Sequence, residues 1–251
     1  MGKGFFITGT DTGVGKTVVA CGLAALLREM GYRVGVMKPA ETGCKDKDGQ
    51  LFPQDAFYLQ QASGCQEPLE RICPYRLPAP LAPSVAAERA GIEIDPSLLA
   101  GLYGEISSAH DITLVEGAGG LLVPLLPHYT YADLAGLLKL PLVVVAANRL
   151  GAINHLLLTL EHAFCRGLRI LGYILNRLEN QPSLAADTNA GALLSLTAIP
   201  CLGEIPYVSS EEIQGSTLET TRALLANLFE ERVHLTPLET VLPRRQVRHT
   251  L

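Results

Sequence analysis

Gly9-Thr10-Asp11-Thr12-Gly13-Val14-Gly15-Lys16-Thr17 is the stretch on which the fold turns. It follows an apolar run at residues 4–8 and opens a segment of helical periodicity at residues 16–30, so it reads as a glycine-rich turn from strand to helix. Glycines in such a turn let backbone N–H groups point inward at an anion, and the positive end of the following helix faces the same place. Gly13, Val14, Gly15, Lys16 and Thr17 are therefore candidate ligands of a nucleoside triphosphate. Lys16 is placed to neutralise the β and γ phosphates and the Thr17 hydroxyl to bind Mg2+. Five residues rather than four separate Gly9 from Gly15, a variant of the commoner G-x-x-x-x-G-K-[ST] spacing.

Outward from this loop, short aliphatic runs alternate with longer periodic segments. Strands are expected at residues 4–8, 33–38, 112–116, 142–147 and 170–176, and helices at 16–30, 53–62, 97–108, 131–138 and 154–165. Several strands are almost wholly apolar, as central strands covered on both faces must be. The expected fold is α/β: a doubly wound, mostly parallel sheet of the phosphate-loop NTPase type in a single domain. That domain is assigned to residues 1–230, with a tail of unknown role at 231–251. The segment Pro74 to Pro83 contains too many prolines for regular helix or central strand and is expected to be a loop, a candidate lid. The last fifteen or so residues, interrupted by Pro237 and Pro243, are expected to be irregular.

Ligands of such sheets gather at the carboxyl ends of the strands, so the residues there carry the functional expectations. Glu116 ends one strand and runs into Gly117, Ala118, Gly119 and Gly120, small residues that allow close approach to a ligand. Asp55 begins a helix. Both acids are candidate Mg2+ ligands beside Thr17, since Mg2+ takes oxygen ligands and one or two carboxylates. Lys38 closes the second strand and is a candidate catalytic group with Lys16, stabilising charge on a transferring phosphoryl group.

The bulk numbers exclude several classes. Across 251 residues, 48% are hydrophobic and 18% charged, enough apolar material for one large core and a reason to expect a homodimer. A formal net charge of -5 argues against a nucleic-acid partner. The basic cluster Arg244, Arg245, Arg248 and His249 reads as a solvated terminus. Six scattered cysteines show neither zinc spacing nor a disulfide framework, and no apolar stretch approaches the ~20 residues that span a bilayer. The expected location is cytoplasmic, without a membrane partner.

Taken together, GTDTGVGKT at residues 9–17, KPAETG at 38–43, EGAGG at 116–120, NRLGAINH at 148–155 and GEIP at 203–206 resemble the dethiobiotin synthetase family, over about residues 4–208. The resemblance implies a homodimeric, Mg2+-dependent ligase converting 7,8-diaminononanoate, CO2 and ATP to dethiobiotin, ADP and phosphate. It implies metal ligands at Thr17, Asp55 and Glu116, phosphate and substrate lysines at Lys16 and Lys38, and a substrate hydroxyl at Thr42. Further ATP contacts are implied at Gly117, Ala118, Gly119, Asn176, Arg177, Ile205, Pro206 and Tyr207, with Asn176 at the adenine edge. The diamine carboxylate is implied at Gly151, Ala152, Ile153 and Asn154, from the other subunit. His155 is read as a helix-start residue at the subunit contact. The ParA and MinD switch ATPases offer a rival reading, but their loop has a lysine where this chain has Asp11. Cobyrinate diamide synthases resemble it too, yet carry a glutaminase domain for which this chain is too short.

Overall fold

The computed structural model describes residues 4–209 and 218–243. The first half of the chain runs β1 (Gly4–Gly9), α1 (Lys16–Glu29), β2 (Val34–Met37), β3 (Ala40–Thr42), β4 (Lys45–Lys47), β5 (Gln50–Phe52), α2 (Gln54–Ser63), α3 (Leu69–Ile72), β6 (Tyr75–Leu77), α4 (Pro83–Ala90) and α5 (Pro96–Ala109). The second half runs β7 (Ile112–Gly120), β8 (Pro124–Leu126), β9 (Tyr129–Thr130), α6 (Tyr131–Leu138), β10 (Leu142–Ala147), α7 (Ala152–Cys165), β11 (Ile170–Asn176), α8 (Leu184–Leu196), β12 (Cys201–Ile205) and a C-terminal helix, Leu218–Arg232.

Six parallel strands form one sheet in the order β12, β11, β10, β1, β7, β2. Alternate residues of each strand go to opposite faces, and both faces are apolar because helices cover both. Phe5, Ile7, Val143 and Val145 pack with residues of α1, α2 and the C-terminal helix on one side. Phe6, Val115, Leu142 and Val144 pack with residues of α5, α6 and α7 on the other. The chain reverses its direction of travel across the sheet at β1: β2 and β7 lie to one side of it and β10 to β12 to the other. A crevice at the carboxyl ends is the geometric result, and it opens where β1 delivers the glycine-rich loop.

Helix boundaries follow local chemistry. The Asp95 side chain accepts from Ser97 N–H ahead of Pro96 at the start of α5, Ser183 caps α8, and Thr130 with Asp133 forms a capping box on α6. Residues 142–147, 170–176 and 131–138 form the elements expected of them.

Other expectations are revised. Residues 75–77, within the proline-rich segment, are a short strand that pairs in parallel with β3, Ala40 opposite Tyr75 and Thr42 opposite Leu77. Its prolines sit outside the paired residues, so the ladder loses no donor. Strand β12, absent from the expected set, is interrupted by Gly203, where a Cβ would lie 2.1 Å from the Arg232 carbonyl oxygen. Helix α8 was hidden because its buried stripe, Ala186, Asn189 and Leu193, contains an asparagine. Val233 bridges to Gly203 and Leu238 is fully buried, so residues past the C-terminal helix also join the core. The basic cluster at 244–249 lies outside the described residues. Among the described residues, no helix is long and apolar enough to cross a membrane.

Candidate functional site

The glycine-rich loop is fastened to the rest of the protein at several points. Thr10 N–H donates to the Val145 carbonyl at 2.9 Å, which pins the start of the loop to β10. Gly15, the residue before α1, has φ of 86°, and a Cβ there would lie 2.0 Å from Asn176 Nδ2, so glycine is required on both backbone and steric grounds. Asn176, buried at the end of β11, donates from Nδ2 to the Val14 carbonyl at 3.0 Å. Lys16 folds back along the loop and donates to the Asp11 carbonyl at 3.0 Å. Burial, with the charge of Lys38 beside it, lowers the Lys16 pKa to about 8.

Strand β7 wraps this loop. Its register with β1 holds as far as Ile7 opposite Glu116, then shifts so that Gly9 faces Gly120. Three residues, Gly117, Ala118 and Gly119, thus stand opposite Thr8 alone, and the Gly119 position neighbours Val123 and the Thr12 hydroxyl.

At the mouth of the loop four side chains converge. Lys38 Nζ donates to Glu116 Oε1 at 2.6 Å and to Asp55 Oδ2 at 2.9 Å, and the Thr17 hydroxyl donates to the same Glu116 Oε1 at 2.9 Å. Side-chain exposure is 3% for Lys38 and 1% for Glu116. Burial opposes the charge on Lys38, but the Glu116 and Asp55 carboxylates outweigh it and hold the ammonium pKa well above its ordinary value. Burial raises the Glu116 carboxyl. It acts the same way on Asp55, where the charge and hydrogen bond of Lys38 prevail and leave the pKa below the usual range. Glu116 Oε2 is buried without a hydrogen-bond partner among the described residues. An orphaned carboxylate oxygen in such a site is a free ligand position.

Glu41 is the residue that pattern reading missed. Its carboxylate accepts from Asp55 N–H at 3.0 Å and Ala56 N–H at 3.1 Å, capping α2 from outside because the residue at the cap position is Pro53. A cap fourteen residues upstream leaves no local sequence signal; the only hint was an acid inside KPAETG. Thr42, the next residue, ends β3 half-buried.

The remaining candidates line two flanks. Toward β12, Arg177 N–H donates to the Ile205 carbonyl at 2.9 Å and its guanidinium pairs with Asp187. Pro206 and Tyr207 follow, partly exposed, whereas the Ile205 side chain is fully buried, so only its backbone can face a ligand. After β10, Gly151 with φ of 93° starts α7, where Ala152 N–H closes a turn on the Arg149 carbonyl and Ile153 and Asn154 follow. A groove lined by Thr10, Asp11, Leu122, His155, Leu158 and Thr159 runs between the phosphate loop and α7. Among the described residues, no group of three or more His, Cys, Asp or Glu forms a ready metal site. A cation here would rest on two carboxylates and a hydroxyl, as Mg2+ sites shared with phosphates do.

Comparison with known proteins bears on this arrangement. A family model described as an AAA domain matches residues 3–212. An ATP-dependent dethiobiotin synthetase of Anaeromyxobacter dehalogenans (strain 2CP-C) is 44% identical over 205 residues, covering 82% of this chain and 90% of its own. One from Aromatoleum aromaticum is 40% identical over 210 residues, covering 84% and 93%. Among solved structures, the septum site-determining protein MinD of Pyrococcus horikoshii OT3 superposes with a TM-score of 0.52 at 19% identity, covering 96% of this chain and 99% of that one. A ParA family ATPase from Chlorobium tepidum TLS gives 0.51 at 17% identity, covering 91% and 92%. The structural likenesses establish the phosphate-loop NTPase fold and no more. The sequence relatives go further: this chain belongs to the ATP-dependent dethiobiotin synthetase family, ligases of biotin synthesis.

Proposed function

We propose that this chain closes the ureido ring of dethiobiotin from 7,8-diaminononanoate, CO2 and ATP, acting as a cytoplasmic homodimer with Mg2+. The observation that carries the reading is the convergence of buried Lys38 and Glu116 with partly exposed Asp55 and Thr17 at the mouth of the phosphate loop. One amine of the diamine captures CO2 as a carbamate. A carbamate oxygen then attacks the γ-phosphorus and ADP leaves. The second amine attacks the carbonyl carbon of the mixed anhydride, phosphate departs, the amine proton is released, and the ring is closed. No protein nucleophile is required, so the chain's task is positioning and charge neutralisation.

Lys16 and the N–H groups from Gly13 to Thr17 hold the phosphates, and Lys38 neutralises charge on the phosphoryl group in flight. Thr17, Asp55 and Glu116 fit Mg2+, the free Oε2 of Glu116 being the supporting feature. The ion would supply charge neutralisation across the β and γ phosphates. Asn176, Arg177 and the backbone of residues 205–207 bound the nucleotide's base side. Thr42 offers a hydroxyl to the diamine, and the N-terminus of α7 at Gly151 to Asn154 takes its carboxylate. Leu122, Leu150, Leu158 and Phe164 are exposed on or beside α7, an apolar surface of the kind a second copy covers.

The test is phosphate release from ATP with Mg2+ and bicarbonate, with and without the diamine, following dethiobiotin by mass. Equal, diamine-dependent amounts of phosphate and dethiobiotin support the reading. ATP turnover indifferent to the diamine would remove it.

A further inference from the structure

We propose that Lys38 is the resident cation of the Glu116 and Asp55 pair, and that a divalent metal enters this pair only together with a nucleotide, whose phosphates take over the displaced ammonium. This rests on the reading that Thr17, Asp55 and Glu116 hold the metal. Lys38 occupies the position between the two acids, bonded to one oxygen of each. Glu116 Oε1 is saturated by Lys38 and the Thr17 hydroxyl together. Oε2 of Glu116 is free and Asp55 keeps its other oxygen, but both belong to carboxylates already bonded to the Lys38 ammonium, which repels a divalent ion.

Charge counting gives the same answer. Lys38 and Glu116 are almost completely buried, so little solvent screens the ammonium from a cation placed against Glu116, whereas Asp55, its side chain 39% exposed, is screened more. Lys16 is no alternative source of relief, since its ammonium points along the loop to the Asp11 carbonyl and adds a second positive charge nearby. Lys38 must therefore leave the carboxylates before a divalent ion can use them. Its main chain cannot leave with it: Lys38 N–H donates to the Ile72 carbonyl at 2.8 Å and Pro39 follows. What moves is the side chain alone, on a fixed pivot at the carboxyl edge of the sheet. Bound phosphates supply compensating negative charge at that edge. The displacement that admits the metal thus also directs Lys38 at the group to be transferred, and the acids act as its positioning residues until then.

The experiment is Mn2+ binding by electron paramagnetic resonance to four proteins: wild type, Lys38→Met, Lys38→Gln and the double variant Lys38→Met with Glu116→Gln. Each is measured without nucleotide and with ADP. Wild type should bind Mn2+ tightly only with ADP. Either Lys38 variant should bind Mn2+ without nucleotide at least about tenfold more tightly than wild type, and the double variant should lose that gain. Lys38→Gln keeps the side-chain length and a polar head, so it serves where Lys38→Met does not fold. Tight Mn2+ binding by nucleotide-free wild type overturns the proposal, as does a Lys38 variant that folds and gains nothing while still binding Mn2+ with ADP. Absence of Mn2+ binding by wild type even with ADP would instead remove the metal assignment on which the proposal rests, and the proposal with it.

Discussion

Strands β2 and β7 are tied together by an ion pair at each end, and the two pairs could hardly differ more. At the carboxyl end Lys38 meets Glu116 at 2.6 Å with side chains 3% and 1% exposed. At the amino end Arg33 meets Asp111 at 2.7 Å with side chains 69% and 31% exposed. The sequence spacing is 78 residues in both and the distances differ by only 0.1 Å, so geometry alone does not distinguish them. Burial does. Water and salt screen the Arg33 and Asp111 charges, and such a pair adds little to stability. Neither screen reaches Lys38 and Glu116, whose burial is costly and is the mark of a candidate functional pair. The candidate site lies at the end of the sheet where charge has been taken out of water.

The largest effect expected from breaking this contrast is at Lys38. Lys38→Ala should leave nucleotide affinity within about tenfold of wild type while lowering turnover by roughly 10²- to 10³-fold, the pattern of a group acting in the transition state. Titration calorimetry with a nonhydrolysable ATP analogue, beside steady-state kinetics, separates the two. Unchanged turnover would take Lys38 out of the mechanism.

Next comes Glu41. Glu41→Ala leaves two N–H groups of α2 without their cap and frees the backbone that presents Asp55. It should cost about 1–2 kcal/mol in denaturant unfolding. Turnover should fall by roughly 10- to 100-fold through misplacement of Asp55. Glu41→Gln retains an acceptor oxygen and should restore part of both. If stability falls and turnover does not, the cap is structural only.

The smallest effect belongs to the exposed pair. Arg33→Ala should not change turnover and should lower the melting temperature only slightly at neutral pH. Hydrogen bonding to Arg33 holds the Asp111 carboxyl below its ordinary range. A carboxyl depressed in the folded state stabilises above its unfolded pKa, near 4, and loses that contribution as pH falls through the folded value. The difference between variant and wild type should therefore shrink on acidification below about pH 4. A difference that grows in acid would contradict the assignment.

The sheet and the phosphate loop were legible because their signals are local. A strand buried on both faces, such as residues 142–147, has no polar residue to blur it, and the spacing from Gly9 to Thr17 carries its own chemistry. What escaped is long-range. The parallel pairing of residues 40–42 with 75–77 joins two segments neither of which is a strand on its own composition. Glu41 acts as a cap only because the chain returns to it, and Lys38 meets Glu116 across 78 positions of sequence. Chemistry-bearing residue types were visible in the chain; which of them hold one another could be read only from the folded structure.

The most direct test of the central claim follows the oxygen atoms. With C18O2 added in a short pulse to enzyme, diamine and Mg·ATP in unlabelled water, attack by a carbamate oxygen on the γ-phosphorus places one 18O in each phosphate released and one in the ureido carbonyl. Phosphate without label, formed alongside dethiobiotin, would mean that ATP is hydrolysed by water at this site and that the phosphorylated carbamate is not the route to the ring.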